Sequence, residues 1–112
     1  MTADCLFCRI VAGEVPAKPV LETDTVLAFH DINPQAPTHV LVIPKEHFPA
    51  AGDMDPATAG EVLRVAHLVA KAEGVAEDGY RLVFNTGRNG GQTVFHVHCH
   101  VLGGRQLNWP PG

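Results

Sequence analysis

Thr93-Val94-Phe95-His96-Val97-His98-Cys99-His100-Val101-Leu102 constrains this chain more than any other stretch. Its β-branched and aromatic residues favour an extended backbone, and strand side chains alternate between faces with a period of two. The pattern predicts a strand over 93–102 with His96, His98 and His100 on one face and Val97, Cys99 and Val101 turned into a core. Strand geometry spaces the imidazoles roughly 6.5 to 7 Å from each to the next. Three crowded imidazoles are costly to desolvate and repel one another when charged. Such a row makes a poor hydrophobic surface and a good chemical one. His30, ending an alternating segment, and His67, beside the apolar stripe of a helix, read instead as ordinary structural histidines.

The 112-residue chain reads as one domain, 1–112, without repeat or low-complexity tract. Cys5 to Gly13 suggests a short helix, with Asp4 as cap and Gly13 as stop. Pro16 and Pro19 keep 15–19 extended. Strands follow at 20–22 and 25–30 around a Glu22-Thr23-Asp24 turn, then at 38–43, closed by Pro44. Asp55-Pro56 is a helix start, and the spacing of Val62, Val65, Ala66 and Val69 supports a long helix ended by Gly74. A strand over 80–85 leads into the glycine-bearing loop 86–92 and so to the histidines. The order of helix, strands, helix, strands, with about five strands and two helices, favours α+β with an antiparallel sheet over a doubly wound fold. So small a sheet leaves an edge or face exposed, for which a dimer is a natural remedy.

Composition narrows the chemistry. A net charge of −4 with no basic run argues against a polymeric nucleic-acid partner. A mononucleotide needs no such excess, since backbone N–H groups can hold one phosphate. No run of 18 apolar residues suggests a membrane span, and Met1 to Cys5 lacks the layout of a signal peptide. A cytoplasmic location is expected, and three cysteines there read as ligands or small hydrophobes rather than disulfides. Cys99 points into the core.

Two chemistries suit the histidines. A His-x-His pair on a strand is a common zinc arrangement, but a catalytic site of that kind usually wants a carboxylate base nearby, and none adjoins in sequence. Alternatively, a neutral imidazole attacks phosphorus and forms a phospho-imidazole that water splits. The abutting loop 87–93 offers N–H groups and the Thr93 hydroxyl to phosphate oxygens, which favours phosphoryl chemistry.

His96-Val97-His98-Cys99-His100-Val101-Leu102 fits the pattern His-φ-His-φ-His-φ-φ, with φ apolar. Together with Phe29-His30-Asp31-Ile32, Ala36-Pro37-Thr38-His39, Ile43-Pro44-Lys45 and the ending Gly103 to Gly112, it resembles the histidine triad family, in its nucleotide-binding branch, over essentially the whole chain. The resemblance implies a homodimer whose sheet continues across a two-fold axis. It implies hydrolysis of purine nucleoside 5′-phosphoramidates to AMP or GMP and an amine, without catalytic cofactor or membrane. By position, His98 would be the nucleophile, His100 a phosphate contact, and His39 a neighbour orienting His98 or relaying charge to it. Asn85, Gly91, Gln92 and Thr93 would surround the phosphate, with Thr93 also meeting the leaving group. Asp31 would accept both ribose hydroxyls, its two oxygens matching a vicinal diol. Phe7, Ile10, Phe29 and Ile32 would form a slot for the base. The tail bearing Trp109 would reach the partner's active site, the plainer reading being a dimer anchor.

Cys5-x-x-Cys8 has the spacing of half a tetrahedral zinc site. The resemblance supplies His47 and His96 as the other half, for a closed, structural Zn2+. The cysteines would otherwise be a core residue and an exposed thiol. Reaching them requires His96 to leave the face of the other two histidines, through a local twist at the start of the strand. Two other functions remain open at this level: dinucleoside polyphosphate hydrolysis, and a non-enzymatic nucleotide-binding adaptor. Retention of His98, Thr93 and Asp31 together favours catalysis, since Asp31 and the slot would suffice for binding.

Overall fold

A computed structural model describes residues 4–112; the reading of the chain start as leaderless falls partly on residues 1–3, outside the described residues. The elements are α1 (Leu6–Val11), β1 (Pro19–Glu22), β2 (Val26–His30), β3 (Thr38–Pro44), a 3₁₀ turn at Ala51–Asp53, α2 (Pro56–Ala72), β4 (Tyr80–Val83) and β5 (Cys99–Gly103). The five strands form one sheet in the order β1-β2-β3-β5-β4, and each neighbouring pair is antiparallel. The expected α+β class with a five-stranded antiparallel sheet and two helices is what the chain adopts.

The central strands are buried on both faces, and their alternation sorts the molecule into two layers. Val26, Ala28, Val40, Val42, Cys99 and Val101 pack under α2, against Val62, Val65, Ala66, Val69 and Ala70. Leu27, Phe29, Leu41 and Ile43 face the other way and meet Cys5, Phe7 and Cys8 of the N-terminal segment. Each fully buried valine contributes roughly 1.5–3 kcal/mol of apolar transfer, so the α2 layer is the stabilising bulk of the domain. The opposite layer is thinner, and it carries the histidines.

The ends of α2 follow their sequence signals. Asp55 accepts from the Thr58 amide at 3.2 Å and from the Thr58 hydroxyl at 2.6 Å, Pro56 opens the helix, and Gly74 adopts φ +77° beyond its end. α1 departs from expectation: its cap is Cys5, whose Sγ accepts from the Cys8 amide at 3.4 Å, and not Asp4.

The larger departure is in the histidine stretch. The expected strand over 93–102 is regular only from Cys99. β5 pairs with β3 as far as Cys99 opposite Val42, and the ladder stops short of Pro44, which has no N–H to offer. Beyond that point the Pro44 carbonyl accepts from His96 Nε2 at 2.8 Å, and the Val97 amide donates to the Phe48 carbonyl at 2.7 Å. Residues 93–98 are therefore held by the segment after β3 rather than by the sheet. β4 is likewise shorter than the expected 80–85, which leaves Asn85 in the following loop.

Candidate active site

β5 and the segment before it place His98 and His100 on the α1 side of the sheet, their ring centroids 4.9 Å apart. That is closer than strand spacing, because His98 lies outside the regular ladder. Phe7 of α1 meets the His98 ring edge-on at 5.1 Å and Phe29 of β2 at 5.6 Å, so an aromatic pair backs the histidine. The three histidines do not share one face. His96 turns away from His98 and His100, is fully buried, and joins the cysteines.

Acceptor chemistry fixes the proton on His98. Its Nδ1 lies 2.9 Å from the His96 carbonyl oxygen, which can only accept. Nδ1 therefore carries a hydrogen, and the neutral form of the ring has its lone pair on Nε2.

The second pair is His39 of β3 with His100. They are diagonal neighbours across the ladder, since His39 lies opposite Leu102 and Leu41 opposite His100. His39 Nε2 is 2.9 Å from His100 Nδ1 and 3.4 Å from Asp31 Oδ2. His39 was expected to orient His98 or relay charge to it; its ring partner is His100. Burial pushes the His39 pKa below its ordinary value of 6.5, against the pull of the Asp31 charge. His100 is pushed further, to about 4, by burial first and then by the neighbouring His98 and His39. His100 Nε2 is buried without a hydrogen-bond partner in the structure.

These groups open on a cavity of about 270 Å³ lined by Phe7, Ile10, Phe29, Asp31, Ile32, Thr93, His98 and His100. Ile32 is 100% exposed at its mouth. Leu6, Val15, Pro16, Ala17, Leu41 and Val94 complete the lining without having been assigned to a site from sequence, and so does His30, which reads from sequence as a structural histidine. The prolines of the 15–19 linker were the available signal: a rigid extended segment crossing the sheet makes a wall. Asp31 Oδ1 accepts from the Asn33 amide at 2.8 Å, and each carboxylate oxygen retains acceptor capacity for a diol.

The loop residues divide differently from expectation. The Gly91 amide donates to the Arg88 carbonyl at 3.1 Å and the Gln92 amide to the Gly87 carbonyl at 3.0 Å. The Gln92 side chain is buried, accepting from the Gly87 amide and donating to the carbonyls of Pro49 and Val94. Gly91 and Gln92 thus brace the loop and do not line the cavity; nor does half-buried Asn85. Trp109 is also outside it, 81% exposed, with the Arg81 guanidinium 6.0 Å from its ring centroid.

Cys5, Cys8, His47 and His96 form a second cluster, their ligand atoms all within 4.8 Å of one another. Zinc bonds of about 2.3 Å to sulfur and 2.0–2.1 Å to nitrogen give tetrahedron edges of about 3.5 Å for S–N and about 3.3 Å for N–N. The observed separations are 3.5 Å for Cys5 Sγ–His96 Nδ1, 3.3 Å for Cys8 Sγ–His47 Nδ1, 3.5 Å for Cys8 Sγ–His96 Nδ1 and 3.2 Å for His47 Nδ1–His96 Nδ1. The donor set fits the ion. His96 Nε2–H donates to the Pro44 carbonyl, which leaves Nδ1 as the ligating nitrogen. Burial, opposed by that carbonyl, keeps the His96 pKa below its ordinary value and so favours the ligand form. With four protein ligands, such a site is structural. Cys99 stands apart in the α2 layer, its thiol pKa pushed up to about 12 by burial.

Among the described residues, no helix is long and apolar enough to cross a membrane. The HIT domain family model matches residues 12–107. A 14 kDa zinc-binding protein of Zea mays is 51% identical over 112 residues, covering 96% of this chain and 87% of that protein. The purine nucleoside phosphoramidase of Escherichia coli is 46% identical over 110 residues, covering 96% of this chain and 92% of the relative. Among solved structures, a HIT family hydrolase from Legionella pneumophila superposes with a TM-score of 0.92 at 52% identity, covering 97% of this chain and 100% of the other. A histidine triad protein from Clostridium difficile does so with 0.91 at 40% identity, covering 96% of each. The chain belongs to the histidine triad (HIT) family, with the fold of that family's hydrolases and close homology to their purine nucleoside phosphoramidase branch.

Proposed function

We propose that the protein hydrolyses the P–N bond of purine nucleoside 5′-phosphoramidates, releasing AMP or GMP and an amine through a nucleotidyl-His98 intermediate. The observation that carries this reading is the His98 ring itself: Nδ1–H on the His96 carbonyl, and a lone pair on Nε2 of a side chain lining the cavity. The relative named for this activity, 92% of which is matched by this chain, adds the substrate class.

The apolar slot of Phe7, Ile10, Phe29 and Ile32 takes the base by stacking, which distinguishes adenine from guanine weakly. Asp31 takes the ribose diol. His98 Nε2 attacks phosphorus as the P–N bond breaks; the amine takes up a proton from solvent and leaves past Thr93, and the water that later splits the nucleotidyl-histidine returns one proton to solvent. The positive charge that develops on the His98 ring is shared through Nδ1–H with the His96 carbonyl. His100 donates from Nε2 to a phosphoryl oxygen, and its depressed pKa makes it a neutral donor that does not repel the ring beside it. Water then splits the nucleotidyl-histidine. No transferred-group cofactor enters the scheme. Zinc, when bound by Cys5, Cys8, His47 and His96, supplies cross-linking rather than Lewis acidity.

We read the protein as a cytoplasmic homodimer in which β4, an edge of the sheet, continues into the partner's sheet and the Trp109 tail covers the partner's pocket. The test is turnover of adenosine 5′-phosphoramidate, with diadenosine polyphosphate as competing substrate and His98→Ala as control. Release of AMP and ammonia that falls by several orders of magnitude in the variant is the expected result. Preference for the diadenosine compound would move the protein to the dinucleoside polyphosphate branch. AMP binding without turnover of either would make it an adaptor.

A further inference from the structure

The protons of the His39–His100 pair are set from outside the cavity. The Gln35 amide N–H donates to His39 Nδ1 at 3.0 Å, so that nitrogen holds a lone pair and the single proton of neutral His39 sits on Nε2. His39 Nε2–H then donates to His100 Nδ1, which forces the His100 proton onto Nε2, the buried atom without a protein partner. Without the Gln35 amide, the opposite arrangement becomes available. His39 would hold its proton on Nδ1 and accept at Nε2 from His100 Nδ1–H. His100 Nε2 would then face the phosphate with a lone pair instead of a proton. The Gln35 amide at Nδ1, together with the Asp31 carboxylate 3.4 Å from Nε2, therefore decides whether the cavity presents a donor or an acceptor to a phosphoryl oxygen.

Gln35 lies in an exposed loop, and the segment after β5 grips that loop twice. Arg105 Nη2 donates to the Gln35 carbonyl at 3.0 Å. Gly104, at φ +92°, lies so close to the loop that a Cβ there would come within 2.8 Å of Pro37 Cβ. We propose that Arg105 is a positioning residue: by holding Gln35 it locks the His39 tautomer and keeps the His100 proton on Nε2, aimed at the reacting phosphate. This rests on the phosphoramidase reading for its catalytic consequence, and on hydrogen-bond geometry alone for the tautomer. The titratable groups facing the pair are Asp31, from the loop after β2, and His98, from the segment before β5. Arg105 acts through the backbone of Gln35, whose carbonyl it holds and whose N–H, in the preceding peptide group, meets His39.

The experiment compares wild type, Arg105→Met, Arg105→Lys and Gln35→Pro as full-length, zinc-loaded protein. Ring-nitrogen shifts from long-range 1H–15N correlation identify the tautomers of His39 and His100, alongside kcat and KM for adenosine 5′-phosphoramidate. Wild type should show protonated Nε2 on both rings. Gln35→Pro removes the donor and should populate the inverted pattern most, against the pull of Asp31, with kcat lower by up to roughly 10²–10³, the usual loss of one preorganised donor. Arg105→Met should mix the tautomers and lower kcat about tenfold, a fraction of that loss, with KM unchanged, and Arg105→Lys should restore most of both. A wild-type tautomer pattern in Arg105→Met overturns the proposal, as does a mixed pattern with unchanged kcat. Absence of turnover in wild type would refute the phosphoramidase reading instead, and the tautomer comparison would still decide what Arg105 holds.

Discussion

His100 shows how burial and neighbours prepare one side chain for a neutral role. Its pKa stands at about 4 against an ordinary 6.5, so between those values the unfolded chain binds a proton that the folded chain refuses. The stability this group contributes is complete above about 6.5 and is lost as pH falls toward about 4. Urea midpoints measured from pH 7 to pH 4 should decline in wild type, and His100→Gln should flatten part of that decline; an identical slope in the variant contradicts the assignment. That His98, His100, Thr93 and Asp31 belong together was legible because alternation and the surrounding motifs mark them, and the structure brings all four to one cavity. Their partners were not. Whether His39 pairs with His98 or His100 depends on the diagonal offset between β3 and β5, which no spacing within either strand reveals. The bracing role of Gln92 was not legible either, because its side-chain amide bonds Pro49, Val94 and Gly87, partners that no local motif points to.

At the scale of elements, the Cys5–Cys8–His47–His96 cluster joins α1, the segment after β3 and the entry to β5. It also reaches His98, the proposed nucleophile, because the carbonyl that orients its ring belongs to His96. The tension between one-faced histidines and a Cys2His2 set resolves here: Pro44 ends the ladder, and the freed segment lets His96 turn. Removing zinc with a chelator, or making Cys8→Ser, should lower the thermal midpoint on the order of 10 °C, the size expected for loss of a saturating ligand from a small domain. Turnover should fall chiefly in kcat, as the His96 carbonyl loosens. A midpoint and kcat indifferent to chelation, in protein that carried one equivalent of zinc beforehand, would separate the cluster from the site. The helices were the easiest elements to read, since Asp55-Pro56 and Gly74 are local signals. The late start of β5 was hidden because its cause, a proline in β3, lies on another strand.

For the whole molecule, alternation in β2 and β3 divides the chain into a stabilising layer under α2 and a chemical layer under α1. The α+β architecture followed from element order. A partner chain leaves no comparable local trace, and the case for one rests on the β4 edge and on a tail whose Trp109 lies outside its own cavity. Sedimentation equilibrium at micromolar concentration should give twice the mass of one chain. A single-chain mass would remove the shared sheet and the role given to the tail, while leaving the chemistry of His98 in place.

The proposed chemistry depends on a covalent bond between phosphorus and His98 Nε2, and trapping it is the most direct test. Rapid acid-free quenching during turnover of adenosine 5′-phosphoramidate, followed by intact mass and peptide mapping, should find one nucleotidyl group on the peptide carrying His98. His98→Ala should show none. An adduct on His100, or steady turnover with no adduct at any quench time while a burst of amine is also absent, would contradict a double displacement through His98.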